Sequence, residues 1–314
     1  MPADPLAPLV DLPGVAAAVE EARAACEQLR WHEAYRRRWR EVRAEAGLRS
    51  ARASAAVDGA RVPLDVVRGL ATTVRETTPS EHHLAATVAA GSGGPGVGKG
   101  LGGSTALDRG DPHVERARGA VRAAAAVERL MPDLGARGAS ALPPFGQLLA
   151  GLHAAAAAGW LDAADVGRLR HAAAPQDLTG LGVAPVGDEV AARLDLLGRT
   201  VATTRAPALV VAAVVHGELL ALRPFAAGNG VVARAAARLL ATTGGLDPTG
   251  SVVAEAVWAA SPQPYLGAAA GFATGTPDGV AAWLRACAAA AVAGADRARV
   301  VADGVLGGRL PAGD

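Results

Sequence analysis

The composition of the sequence and its distribution along the chain predict an all-α protein. Hydrophobic residues make up 51% of the 314 positions and aromatic residues only 3%, so the apolar side chains are mostly those of Ala, Val and Leu. Blocks of helical length rich in Ala and Leu recur between short Gly or Pro turns, as expected for successive helices. No long segment alternates apolar with polar residues as a sheet would. One short stretch, LGVAPV at 181–186, is compatible with a small β-hairpin arm.

The first 90 residues are predicted to form an N-terminal helical region. Residues 14–56 lack Pro, contain Gly at only two positions and are rich in Ala, Glu, Arg and Leu, which predicts one or two helices. Within them, Trp31, Tyr35 and Trp39 recur at four-residue spacing and are expected to share one helical face. We interpret this face as a packing stripe beside a solvated basic surface. The alternative is an arm that binds nucleic acid, which the interspersed glutamates disfavour.

A Gly-rich segment at 91–112 separates this region from the rest of the chain. It has no hydrophobic period, which is typical of a linker or loop. Gly98 and Lys99 resemble part of a phosphate-binding loop, but Gly100 stands where a hydroxyl would ligate Mg²⁺. We therefore do not interpret this segment as a nucleotide site. Residues 113–314 form the predicted C-terminal helical domain.

Charge, cysteine content and hydropathy exclude several classes of protein. The sum of Lys and Arg is 31 and that of Asp and Glu is 30, a net charge of +1, so no overall field attracts nucleic acid or an anionic membrane. Two cysteines, Cys26 and Cys287, are too few for a secreted disulfide framework. The first residues lack the features of a signal peptide, and no apolar run reaches the roughly 18 residues of a spanning helix. We expect a cytoplasmic protein with no membrane partner.

The segment that carries the chemistry is 207–240, PALVVAAVVHGELLALRPFAAGNGVVARAAARLL. An apolar helix is predicted to run to about Leu222 and to be broken by Pro224. The sequence Gly-Asn-Gly at 228–230 then predicts a tight turn, with a second helix from about Val231. Backbone N–H groups at the start of that helix would face an anion, and Arg234 follows one turn later. The segment therefore predicts an anion-binding turn.

These residues resemble the Fic (Fido) family, whose motif H-P-F-x-[D/E]-G-N-G-R-x-x-R lies between two helices, with another His seven residues earlier. This chain has R-P-F-A-A-G-N-G-V-V-A-R at 223–234 and His216 seven residues before Arg223. G-R-L-R at 167–170 resembles the family's upstream G-x-x-R, and 264–284 resembles its C-terminal helices. The resemblance covers about 140–290 and implies a Fic-like helical bundle.

The resemblance also implies which functions are kept and which are lost. Arg223 stands at the position of the family's general base, and a guanidinium does not accept a proton at neutral pH. Ala227 replaces the acidic Mg²⁺ ligand, so a metal site is not expected, and Val231 replaces one phosphate-binding arginine. The residues that match the nucleotide-binding part of the motif are Phe225, Gly228, Asn229, Gly230 and Arg234. Ordinary transfer of AMP is therefore not expected.

An upstream segment resembles the family's inhibitory signature, [S/T]-x-x-x-E-[G/N]. Here it reads Ser54 to Gly59, with Asp58 at the acidic position. The resemblance implies that Asp58 pairs with Arg234 and blocks productive ATP binding. The alternative is that this segment is an ordinary helix end.

Three functions remain open from the sequence. The first is a degenerate Fic-domain protein that binds ATP, another nucleotide or a phosphate-bearing ligand without transferring it. The second is a Fic-type nucleotidyl or phosphoryl transferase that modifies a protein target, with His216 replacing the missing base. The third is a helical interaction module with a vestigial site. Only the first two bind a nucleotide, and only the second labels a protein.

Overall fold

The structure is a computed structural model that describes residues 4–77, 110–136 and 142–310. These ranges contain twelve α-helices and two short 3₁₀ turns, and they contain no strand, which confirms the all-α fold class. Residues 91–109 of the predicted Gly-rich linker lie outside the described residues. The helices in chain order are α1 (Val15–Arg30), α2 (Ala34–Arg37), α3 (Trp39–Val57), α4 (Leu64–Thr77), α5 (Pro112–Leu130), α6 (Phe145–Ala157), α7 (Asp188–Thr203), α8 (Ala208–Leu222), α9 (Asn229–Thr243), α10 (Glu255–Ala260), α11 (Pro262–Ala273) and α12 (Pro277–Leu306).

The hairpin formed by α8 and α9 lies at the centre of the bundle. Eleven of the fifteen residues of α8 are buried, because the helix is apolar on every side. Helices α5, α6 and α3 pack against α9, while α7, α11 and α12 pack against α8. The turn between α8 and α9 is therefore held on a rigid support.

Helices α5 and α12 begin at well-defined caps. The Asp111 carboxylate accepts a hydrogen bond from the N–H of His113, and Pro112 occupies the first position of α5. The Thr276 hydroxyl caps α12 in the same way, and Pro277 opens that helix. Helix α12 has 30 residues, about 45 Å at 1.5 Å per residue, and packs along α1 and α11.

The prediction that three aromatic residues of the N-terminal region share one helical face is wrong. Residues 14–56 form three helices instead of one or two, because the chain leaves helical geometry after Arg30 and again at Arg38. Trp31 follows α1 and is 69% exposed. Tyr35 is buried in α2, and its hydroxyl forms a hydrogen bond with the Ser251 hydroxyl at 2.6 Å. Trp39 begins α3. A four-residue spacing aligns side chains only within one continuous helix.

The hairpin arm suggested for 181–186 does not form. A 3₁₀ turn covers Thr179–Leu181, and the residues that follow are irregular up to the start of α7. This segment is held by arginine side chains, described below, rather than by strand pairing. None of the helices in the described ranges combines the length and apolar character that crossing a membrane requires.

Candidate functional site

The turn between α8 and α9 has a compact geometry that the sequence motif makes possible. Helix α8 ends at Leu222, and Arg223 adopts a left-handed conformation with φ 45°. Gly228, with φ 81°, is the N-terminal cap residue of α9. A residue without Cβ takes this conformation at little cost, which is why Gly suits the position.

Asn229 holds the turn closed. Its side-chain Oδ1 accepts a hydrogen bond from the N–H of Phe225 at 2.9 Å, and its Nδ2 donates to the Phe225 carbonyl at 2.9 Å. Both groups of the amide are therefore used to fix the loop that joins Phe225 to α9. The residue is 1% exposed. Its backbone N–H remains directed out of the helix, as expected for the first residue of an α-helix.

The carboxylate of Asp177 occupies this helix N-terminus. Its Oδ2 accepts from the backbone N–H of Asn229 at 2.9 Å, and its Oδ1 accepts from Asn229 Nδ2 at 2.7 Å. Burial raises the pKa of Asp177, and the hydrogen bonds from Asn229 act in the opposite direction. The turn that the sequence predicts as an anion site thus contacts an oxyanion supplied by the chain itself.

His153 supports the same turn from the other side. Its Nδ1 accepts from the N–H of Gly167 at 2.9 Å, so Nε2 carries the proton and donates to the Ala227 carbonyl at 2.9 Å. The imidazole stacks on the Phe225 ring with centroids 3.9 Å apart. Burial lowers the pKa of His153, which keeps it in the neutral form that both hydrogen bonds need.

Arg223 does not point into the space in front of the turn. Its Nη1 donates to the Leu178 carbonyl at 2.9 Å and its Nη2 donates to the Gly182 carbonyl at 2.7 Å. Arg170, from the G-x-x-R segment, donates to the carbonyls of Arg223 and Leu222 at 2.6 and 2.8 Å. The two arginines therefore tie the irregular segment 178–185 to the end of α8, and Arg223 acts here as a brace.

Arg234 is completely enclosed and its guanidinium is bound by protein groups. Its Nε donates to the Ser54 hydroxyl at 2.8 Å, and its Nη2 lies 2.7 Å from Asp58 Oδ2. Nη2 also donates to the Ser54 carbonyl at 3.0 Å, and Nη1 to the Tyr265 hydroxyl at 3.4 Å. The side chain is 0% exposed. The structure thus brings Ser54 and Asp58 together with Arg234, which lies 180 residues after Ser54 in the sequence.

Two glycines allow Asp58 to reach this position. Gly59 ends α3 with φ 89°, a conformation that favours Gly. A Cβ built on Gly230 would lie only 2.5 Å from Asp58 Oδ1, so the carboxylate fits over the first turn of α9 only because residue 230 lacks a side chain. Within the described part of the chain, that Oδ1 atom has no hydrogen-bond partner.

His216 lies behind Arg234, in the interior. Its Nε2 is 2.8 Å from the Tyr265 hydroxyl, and its ring contacts those of Trp258 and Trp283 edge-on at 4.8 and 5.0 Å. Burial, followed by the nearby charge of Arg234, lowers the pKa of His216 well below its ordinary range. His216 lines a small cavity of about 70 Å³ and does not line the space in front of the turn.

The space in front of the turn is a cavity of about 330 Å³. Asp58 and Asp177 line it, as do Trp160 and Arg116, whose guanidinium lies 5.5 Å from the Trp160 ring centroid. Ala227 also lines this cavity, so the position that the family resemblance assigns to an acidic metal ligand carries only a methyl group. The cavity can accommodate a small ligand, but only next to two carboxylates.

Comparisons with known proteins give the fold of this chain. No protein-family model matches it, and no curated sequence matches it. A solved structure of a Fic family protein from Desulfovibrio desulfuricans G20 is similar, with a TM-score of 0.63 and 19% sequence identity over 91% of this chain and 74% of that chain. The chain has a Fic-like fold. The predicted Fic-like bundle is confirmed, and the similarity extends well beyond the 140–290 expected from the motifs.

Several residues of the site were not predicted from the sequence. Asp177 and Gln176 follow a Pro in an irregular segment, Arg116 comes from α5, and Trp160 lies in the turn after α6. His153 lies in an Ala-rich helix, where it looks like a core residue. None of these positions belongs to a local motif, so only their proximity in the folded chain identifies them.

Proposed function

We propose that this Fic-fold protein binds a nucleotide or another phosphate-bearing ligand at the turn 228–230 and does not transfer AMP by the Fic mechanism. The observation that carries the proposal is the Asp177 carboxylate, held by the backbone N–H and the side-chain amide of Asn229 at 2.9 and 2.7 Å. A phosphate oxygen offers the same acceptor geometry to the same donors. Asp177 is therefore a stand-in for the ligand's oxyanion, and it must leave before a phosphate can bind.

The residues around the turn support binding without catalysis. The Arg223 guanidinium is engaged by two carbonyls, and it has no capacity to accept a proton from a hydroxyl nucleophile. His216, the alternative base, is enclosed by aromatic rings on the far side of Arg234. Loss of a general base alone costs about 10²–10⁴-fold in rate. These observations disfavour the transferase reading.

Asp177→Ala tests the proposal. Removing the carboxylate frees the Asn229 donors, and we expect ATP to bind the variant at least about tenfold more tightly than the wild type, because one competing charge-assisted acceptor is gone. Asp195→Ala, at an exposed aspartate of α7, changes the net charge equally and is the matched control. Calorimetric titration with and without Mg²⁺ measures the affinities. Since residue 227 offers no metal ligand, the two titrations are expected to agree.

Three outcomes decide between the functions. Tighter ATP binding by Asp177→Ala, with no label transferred from α-labelled ATP to protein, supports the proposed pseudoenzyme. Transfer of label that is lost in a His216→Gln variant would favour the transferase instead. No binding by either the wild type or Asp177→Ala, with a native circular dichroism spectrum, would leave the vestigial interaction module as the function.

A further inference from the structure

A second large cavity lies on the surface, away from the motif turn. It is a groove of about 430 Å³ between α3, α10 and α12, and residues of the loop after Asp58 also line it. Each helix presents residues at i, i+3 and i+4 spacing: from Arg49 to Ala56 on α3, from Ala256 to Ala260 on α10, and from Arg297 to Val301 on α12. Residues at this spacing form one face of a helix, so the groove is walled by three helix faces.

The rim of the groove is positively charged. Arg49, Arg52, Arg61 and Arg297 line it, and no Asp or Glu does so among the described residues. Arg49 pairs with Glu45 at 2.9 Å, and Arg52 donates to the Val62 carbonyl at 3.1 Å. Neither Arg61 nor Arg297 has a carboxylate partner within the part of the chain that the structure describes. Because the whole chain carries a net charge of only +1, this concentration of cations is local.

The floor of the groove is aliphatic. Val62, Val253 and Val301 lie below the rim, and Val300 is 55% exposed at its edge. Among the residues that the structure describes, no aromatic side chain lines it, so the groove lacks the stacking platforms on which single-stranded nucleic acids depend. Its floor is also recessed between helices, where a flat bilayer does not reach. The partner that matches this groove is narrow and carries carboxylates beside apolar side chains.

We propose that this groove binds an acidic amphipathic peptide segment of a protein partner. Its apolar side chains would cover the aliphatic floor, and its carboxylates would pair with the arginines of the rim. Charge complementarity selects this occupant, since guanidinium groups without partners at the edge of an apolar groove gain most from carboxylates. The proposal does not depend on ligand binding at the motif turn.

The probes are helical peptides of about 12 residues, long enough to span about 18 Å, with Glu on one face and Leu and Val on the other. Counterparts with Gln in place of Glu have the same length and apolar face. Fluorescence anisotropy with the full chain measures both sets. We expect the Glu peptides to bind at least about tenfold more tightly than the Gln peptides in low salt, and the difference to shrink as salt screens the charges.

Two charge-matched double variants test the location. Arg61→Gln with Arg297→Gln removes the two rim arginines that lack carboxylate partners, and is expected to weaken binding of the Glu peptides about tenfold. Arg129→Gln with Arg199→Gln removes two exposed arginines elsewhere and is expected to leave binding within about twofold. Equal binding of Glu and Gln peptides, equal losses in both double variants, or no peptide binding would overturn the proposal. So would binding only to anionic vesicles or oligonucleotides that depends on the rim arginines.

Discussion

Asp58 is the group whose removal most directly tests the enclosed arginine. Its Oδ2 lies 2.7 Å from Arg234 Nη2, and the arginine side chain is 0% exposed while that of Asp58 is 21% exposed. The substitution Asp58→Asn keeps the shape of the side chain and removes its charge. The guanidinium then retains the Ser54 hydroxyl and carbonyl and the Tyr265 hydroxyl, but no counter-charge within contact distance in the described part of the chain.

The expected loss of stability follows from the burial of the pair. Removing one partner of a fully buried ion pair costs about 3–5 kcal/mol. Because Asp58 is one-fifth exposed and three hydrogen bonds to Arg234 remain, we expect a loss of about 2 kcal/mol, which is below that range. Urea denaturation measures the free energy of unfolding. Asp195→Asn on α7, an exposed site, is the control and is expected to change stability by less than about 0.5 kcal/mol.

The same variant links stability to anion binding. In this variant an oxyanion in the cavity that residue 58 lines no longer meets the Asp58 charge, so phosphate is expected to raise the thermal midpoint of Asp58→Asn more than that of the wild type. If Asp58→Asn is as stable as its control, the ion pair does not compensate a buried charge. An equal response of both proteins to phosphate would refute the idea that the Asp58 charge excludes anions from the cavity that it lines.

Three further predictions concern pH and local geometry. Burial lowers the pKa of His153 and His216, so below about pH 6.5 the unfolded chain binds more protons than the folded chain. The free energy of unfolding is therefore expected to fall as the pH drops through that value, by up to about 1.4 kcal/mol per pH unit for each histidine. The midpoints of urea denaturation at several pH values measure this loss. Gly230→Ala places a Cβ 2.5 Å from Asp58 Oδ1 and is expected to cost about 1–3 kcal/mol, measured by thermal unfolding. Arg223→Ala removes two hydrogen bonds that brace 178–182 and is expected to cost about 2–4 kcal/mol and to speed proteolysis near Val183.

Each of these predictions has its own control. For the pH effect, the His153→Gln and His216→Gln variants should each show a flatter pH dependence, and an unchanged slope in both would contradict the assignment. For Gly230, the control is Gly146→Ala, where a Cβ meets no atom within 4 Å; similar losses at both glycines would count against the close approach. For Arg223, cleavage that is no faster than in the wild type would mean that the arginine does not hold the segment.

The fold class and the position of the site follow from local features of the sequence. Ala- and Leu-rich blocks form helices because of their intrinsic helix propensity. Pro224 and Gly228 break one long apolar segment, which becomes the α8–α9 hairpin. The motif at 223–234 therefore marked the turn correctly. The same local reasoning failed for Trp31, Tyr35 and Trp39, because a fixed spacing carries no information about where a helix breaks.

The contacts that the site residues make depend on the tertiary structure. The sequence assigns Arg223 no partner, and packing directs it to the carbonyls of Leu178 and Gly182. For Arg234 the family resemblance implies a pair with Asp58, and packing encloses that arginine between α3 and α11. Asp177, 52 residues before Asn229, belongs to no motif and still occupies the helix N-terminus. Sequence patterns determine which groups can bind an anion, because donor chemistry and turn geometry are local properties. Which acceptor each donor contacts depends on distances between segments remote in the chain, and these exist only once the bundle has packed.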